Sequence, residues 1–345
     1  MRRPTQADVA RLAGVSRATV SYVISGRARD NIAIAEETRL RVLRAIEQLG
    51  YQPNASAQSL RRGNTRTIGL LVPDLRNPHY WQIVRGVEEE ARARGYDLLF
   101  SSTSLDPERE RDCVRALLRR RMDGLILLLT YPTLALAEAE ALMWPHSPIV
   151  LLGGGAPEVD QVLPDYGEGA SQLMAYLLDL GHRRIGLILG VATPELGSER
   201  LAAYRSALEG RGLPVEEHLI ERCGSALEDG YRAAVRLLQQ QSRPTAIVVI
   251  NDLLAIGALR AVADLGLRSP AEVSVASFDD IEVAAYLNPP LTTVGVNAEE
   301  VGRRAASMLF ARLLDPECPP QQVRLPARLV VRASTGPAPA IQQLG

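Results

Sequence analysis

The chain has 345 residues, is 46% hydrophobic, and carries a formal net charge of −1 from 39 basic and 40 acidic side chains. That length suits two or three domains, and the composition excludes the disordered, collagenous and disulfide-dense classes. Cys113, Cys223 and Cys318 are odd in number and widely spaced, which argues against a disulfide frame or a metal knuckle.

Chain order begins with a basic head. Residues 1–66 hold twelve arginines against five acids, a net +7, and the remaining 279 residues carry 27 basic and 35 acidic side chains, a net −8. A small basic head on a larger acidic body is the layout expected when only the head meets a polyanion. Gln6 to Ala13 predicts a short helix, Gly14-Val15-Ser16 a break, and Arg17 to Ile24 a second helix with Ser16 as its N-cap. This small–Gly–Val spacing is that of a helix-turn-helix: Ala10 lets the helices cross, Gly14 makes the turn, and Val15 and Val20 pack the second helix on the first. A third helix is expected from about Glu36 to Leu49, with Leu40, Val42, Leu43, Ile46 and Leu49 as its apolar face and Gly50 as its stop. Residues 51–66 follow as a polar linker with marginal helix content.

From Thr67 the pattern alternates apolar strands with longer helices. Strands are predicted at 68–72, 97–100, 124–129, 149–152, 185–189, 246–250 and 273–277. Helices are predicted at 81–94, 108–121, 166–180, 199–211, 230–240 and 253–265. Such alternation implies parallel sheets covered by helices on both faces. The pattern comes in two rounds, about 67–160 and 161–290, so two doubly wound subdomains are expected, with a ligand crevice at the carboxyl ends of their strands. The longest apolar runs fall far short of the ~20 residues of a membrane span, and the first residues show no apolar secretory core. A cytoplasmic protein without membrane partners is therefore expected.

Several motifs carry a resemblance. The head runs Asp8-Val9-Ala10, Ala13-Gly14-Val15-Ser16, Thr19-Val20-Ser21, Glu37-Thr38, and Gly50-Tyr51-Gln52-Pro53-Asn54 through Leu60. The body adds Ile68-Gly69-Leu70-Leu71-Val72-Pro73, Asn77-Pro78, Asp123-Gly124-Leu125-Ile126, Gly181-His182, Asn251-Asp252, Phe278-Asp279 and Val331-Arg332-Ala333-Ser334-Thr335. Together they resemble the lactose-repressor (LacI) family of bacterial regulators across residues 5–335. The resemblance implies an all-α helix-turn-helix head (1–50), a hinge helix and linker (51–66), a periplasmic-binding-protein-like α/β body of two lobes (67–335) that binds effector and dimerises, and a tail (336–345). It implies that Arg17, Ala18 and Tyr22 read bases, that Thr5, Ser16, Thr19, Ser21 and Asn54 lie on the DNA, and that Leu60 wedges into the minor groove. The segment Gly26–Ala35 is longer than in the lactose repressor, so phosphate contacts do not carry over there.

For the body the resemblance implies an effector site of Asn77, His79, Tyr80, Arg200, Asn251 and Asp279. Amide, carboxylate and guanidinium groups satisfy hydroxyls in fixed directions, while an aromatic ring covers an apolar sugar face. Asn251 and Asp279 also suit helix or turn capping. After the fourth strand, where sugar binders often place an acid or Arg, Gly153-Gly154-Gly155 supplies neither. The pocket is expected to be roomier there, admitting an effector bulkier than a monosaccharide, or one that is not a sugar.

The leading expectation is an effector-controlled transcriptional repressor, acting as a homodimer on pseudo-palindromic double-stranded operator DNA. A pure binding protein of the periplasmic type and a sugar-processing enzyme are the alternatives. The enzyme lacks support: there is no G-x-S-x-G elbow, no P-loop, and no metal-spaced pair among His79, His146, His182 and His218. No cofactor, catalytic residue or metal ligand is expected. The tail has two prolines and no heptads, so a dimer is expected rather than a coiled-coil tetramer.

Overall fold

A computed structural model describes residues 4–25, 34–52, 64–120, 122–132, 148–190 and 197–339. Asn54 and Leu60, with most of the Gly26–Ala35 segment, lie outside the described residues. Contacts divide the chain into Met1–Thr65 and Arg66–Gly345.

The head has three helices: α1 (Gln6–Ala13), α2 (Arg17–Ser25) and α3 (Glu36–Leu49). Thr5 and Asp8 form a capping box, in which the Asp8 carboxylate accepts from Thr5 N at 2.9 Å and Thr5 Oγ1 accepts from Asp8 N at 3.4 Å. Gly14 closes α1 at φ 63°, a left-handed conformation that a Cβ disfavours. Ser16 Oγ accepts from Thr19 N at 3.1 Å and so caps α2. Val9, Ala10, Ala13, Val20, Val42, Ala45 and Tyr51 form the small core. The apolar face of α3 is rotated from the sequence expectation. Leu40 and Leu43 are 42% and 40% exposed, and Val42 and Ala45 turn inward with Ile46 and Leu49 beside them. A three-helix core this small takes one narrow stripe of α3, and the i, i+3, i+4, i+7 row from Val42 fills it.

The body contains twelve strands and seven longer helices among the described residues. In chain order they are β1 (Thr67–Val72), α4 (Pro78–Ala93), β2 (Asp97–Ser102), α5 (Pro107–Arg119), β3 (Gly124–Leu127), β4 (Ile149–Leu152), β5 (Asp160–Asp165), α6 (Tyr166–Asp179), β6 (Ile185–Leu189), α7 (Ser198–Glu209), β7 (Ile220–Arg222), α8 (Leu227–Leu238), β8 (Ala246–Val249), α9 (Asp252–Asp264), β9 (Ser274–Phe278), β10 (Thr292–Gly295), α10 (Ala298–Leu314), β11 (Gln322–Pro326) and β12 (Arg328–Val330). Two six-stranded sheets result, ordered β2-β1-β3-β4-β5-β11 and β7-β6-β8-β9-β10-β12. Every neighbouring pair is parallel except β10 with β12. Central strands such as β3, β6 and β8 are buried throughout, which is why they read as unbroken apolar runs.

The lobes are not two consecutive stretches, as the two rounds of the pattern suggested. The first lobe takes β1 to β5 and is completed by α10 and β11, while the second takes α6 to β10 and is completed by β12. The chain therefore passes between lobes at 165–166, at 295–298 and at 326–328. The return is enforced by packing. Leu309 and Phe310 of α10 are buried with Ile68, Val87 and Val150 of the first lobe, and a Cβ on Gly302 of α10 would lie 2.1 Å from Ile83 O of α4. No helix among the described residues is long and apolar enough to cross a membrane.

Candidate functional site

In the head, α2 turns Val20 into the core and leaves Ser16, Arg17, Ala18 and Tyr22 exposed, with Thr19 and Ser21 half-buried beside them. Residues at i, i+1, i+4 and i+5 share a helix face, so Arg17, Ala18, Ser21 and Tyr22 present one surface. The Thr5 hydroxyl is engaged locally, donating to the Asp8 carboxylate at 2.7 Å. Among the described residues no acid pairs with Arg17.

In the body, the turn after β1 delivers one cluster. Asn77 caps α4, its Oδ1 accepting from His79 N at 3.0 Å, and its Nδ2 donates to Asp279 Oδ2 of the other lobe at 2.9 Å. His79 lies with Nδ1 4.0 Å from Asp279 Oδ1 and Nε2 3.4 Å from the Tyr166 hydroxyl. Tyr80 meets the His79 ring edge-on at 5.5 Å. Burial pushes the Tyr80 and Tyr166 phenols well above their ordinary range, with the Asp279 charge reinforcing the shift and Arg200 opposing it. Arg200, from the first turn of α7, lies over the Tyr166 ring at 4.0 Å and the Phe278 ring at 4.8 Å.

Thus Asn77, His79, Tyr80, Arg200 and Asp279 gather where the lobes meet. Asn251 is placed differently: its Oδ1 caps α9 by accepting from Leu254 N at 2.9 Å, and no contact joins it to that group among the described residues. Beyond the triple glycine, a Cβ built on Gly153 meets nothing within 4 Å, so the loop after β4 leaves open space.

Sequence reasoning passed over several neighbours. Arg76 is held by Asp74 through Nε at 3.0 Å and Nη2 at 2.9 Å, and crosses to Ser225 Oγ at 2.7 Å. Tyr166 packs against the cores of both lobes. Asp279 and Asp280 hold φ of 108° and 54°, rare for non-glycine residues. That corner is braced by the fully buried Asp252, which accepts from Thr293 Oγ1 at 2.7 Å, from Ile281 N at 2.8 Å, and from the Ser277 hydroxyl. The Phe278-Asp279 and Asn251-Asp252 motifs marked both partners, but nothing local showed that one braces the other.

Burial, reinforced by the like charge on Asp279, pushes the Asp252 carboxyl up to about 7 from an ordinary 3.8. Folded protein therefore binds a proton that unfolded chain lacks between these values, and this contribution to stability is lost as pH rises through about 7. Urea midpoints of the wild type should accordingly fall from pH 5 to pH 8 relative to those of Asp252→Asn, a comparison in which parallel trends would refute the shift.

The residues 5–54 match the model for "Bacterial regulatory proteins, lacI family", and residues 174–335 match that for a "Periplasmic binding protein-like domain". The chain is 34% identical over 338 residues to the HTH-type transcriptional repressor PurR of Klebsiella pneumoniae (strain 342), covering 97% of each. It belongs to the lacI family. Among solved structures, a lac repressor dimer bound to operator and the anti-inducer ONPF matches at TM-score 0.83 and 28% identity, over 97% of this chain and 100% of that one. A transcriptional regulator CelR–cellobiose complex matches at TM-score 0.69 and 32% identity, over 96% and 100%. The chain is thus a DNA-binding transcriptional regulator with a periplasmic-binding-protein-like body, and the relative named above is a repressor rather than an enzyme. Family membership agrees with the resemblance read from the motifs, and the two-lobed α/β body agrees with the expected fold class.

Proposed function

We propose that this lacI-family member represses transcription in the cytoplasm as a homodimer whose grip on operator DNA is set by a small polar metabolite held between the lobes. The hydrogen bond from Asn77 to Asp279 carries the reading, because it ties one lobe to the other through the carboxylate best placed to meet a ligand. A metabolite that donates to Asp279 displaces Asn77, and the lobes must settle at another spacing. Lobe spacing is then the bistable element that effector and DNA both bias. Asn77, His79, Tyr80, Arg200 and Asp279 are the contact residues in this reading, with Asn251 acting through the start of α9. Arg17, Ala18 and Tyr22 read bases, and Ser16, Thr19 and Ser21 hold phosphates. Thr5 contributes by capping α1, since its amide and its hydroxyl both serve Asp8.

The test is operator binding by the purified protein at fixed salt, with sugars, nucleosides and related metabolites added singly. A metabolite that weakens the complex is an inducer and one that tightens it a co-repressor. Failure to select any specific DNA would remove the repressor reading. Arg17→Ala should weaken the cognate complex by about 1–3 kcal/mol and relax preference at one base pair. Equal loss on every DNA sequence would instead make Arg17 a phosphate contact.

A further inference from the structure

Among the described residues, one cation of the cleft has no neutralising partner. Arg76 is matched by Asp74, and Arg332 by Asp280 at 2.6 Å. Among the described residues no carboxylate lies within ion-pair distance of Arg200, and its Nε is buried without a hydrogen-bond partner. The Tyr166 and Phe278 rings hold the guanidinium in place and favour its charge, yet they accept no hydrogen bond from its fork. The loop after β4 opens with glycine at three successive positions, none of which offers an acid. Arg200 also stands in the first turn of α7, whose N-cap Gly197 supplies no side-chain cap, so the helix dipole adds to the positive field.

The opposite end of the cluster is arranged otherwise. Asp279 is 5% exposed and takes the Asn77 amide, while His79, 7% exposed, keeps an unpartnered Nδ1. Tyr166 separates the two ends, with Arg200 over its ring and His79 at its hydroxyl. A buried donor left unpaired costs more than a paired one returns, and the cost is larger when the group is charged. An anionic oxygen pair fits the guanidinium fork and cancels its charge, which a neutral hydroxyl cannot do.

We infer that the effector is an anion: a polyhydroxylated metabolite whose carboxylate or phosphate docks on Arg200 while a hydroxyl donates to Asp279. The inference rests on the reading of the cleft as the effector site. Calorimetric titration of the full-length protein at constant ionic strength tests it, with glucose, gluconate and glucose 6-phosphate, and with ribose, ribonate and ribose 5-phosphate. At least one anionic member should bind about tenfold or more tighter than its neutral parent, and Arg200→Gln should erase that advantage with circular dichroism unchanged. Comparison of the acid with the phosphate tells which group the site takes. A neutral parent that binds as tightly as its anions, and is lost in Asp279→Asn, overturns the anion inference and leaves the cleft as the effector site. Binding indifferent to both substitutions overturns the cleft reading too. Silence of every anionic member at millimolar concentration overturns the anion inference.

Discussion

Replacing Asp160 by alanine should lower the stability of the body by about 3–5 kcal/mol, the range for removing one partner of a buried ion pair. Asp160 is 5% exposed at the start of β5 and accepts from Arg312 Nε and Nη2, both at 2.9 Å, and from Gln321 N at 2.8 Å. Arg312 also donates to Pro316 O at 3.3 Å, to Pro319 O at 3.2 Å and to Cys318 O. One carboxylate thus fastens the end of α10 and the start of β11 to the first sheet. With it gone, a guanidinium only 15% exposed is left uncompensated. A fall in melting temperature of about 10 °C is expected for a unit this size. Asp160→Ala combined with Arg312→Met should recover part of the loss, because the stranded charge goes as well. An unchanged urea midpoint for the single variant would dismiss the bolt.

Gly302→Ala should cost about 3 kcal/mol or more, at the upper end of overpacking effects. A Cβ there would lie 2.1 Å from Ile83 O and 3.0 Å from Val87 N, and the reciprocal Cβ on Gly86 would lie 2.0 Å from Glu299 O. These neighbours are backbone, which cannot swing aside, so α4 and α10 must separate and open the core around Val87 and Leu309. Gly154→Ala is the matched control: its Cβ meets only Leu163 Cδ2 at 3.8 Å, so it should change stability by well under 1 kcal/mol. Equal chemical midpoints for the two variants would remove the close-approach argument.

What was legible in the sequence follows the range of the interactions involved. Strands β1, β3, β4, β6 and β8 announce themselves because each is buried on both faces and apolar along most of its length, and β9 does so despite its two buried serines. Among the strands at or near sheet edges, β2 is expected at 97–100, whereas β5, β7, β10, β11 and β12 are not. β5 begins with the buried polar pair Asp160 and Gln161, β7 is three residues long, and β11 alternates exposed and half-buried positions. Their pairing is decided by partners far along the chain, as Gln322 pairs with Gln161. Leu40 and Leu43 misled for a related reason, since helical spacing identifies an apolar side without saying which stripe a small core accepts. At the site, Asn77, His79 and Asp279 stood in motifs. Asp252 stood in one too, but the parts that it, Tyr166 and Arg76 play come from contacts that join distant segments, such as Arg76 with Ser225.

The interleaved lobes set an order for synthesis. A ribosome delivers β1 to β5 first, but the helix that shares one of their faces with α4 and the strand that ends their sheet arrive only with residues 298–326. Beyond its continuous run from α6 to β10, the second lobe needs β12 and the segment after it, whose Ser334, Thr335 and Gly336 bond to β9, β10 and His182. The half that emerges earlier therefore waits with one face covered by α4 alone while the later half gathers most of its parts. A nascent chain stopped before residue 298 should carry an exposed apolar surface around Ile68, Val87 and Val150, and chaperones would find it there rather than in the second lobe.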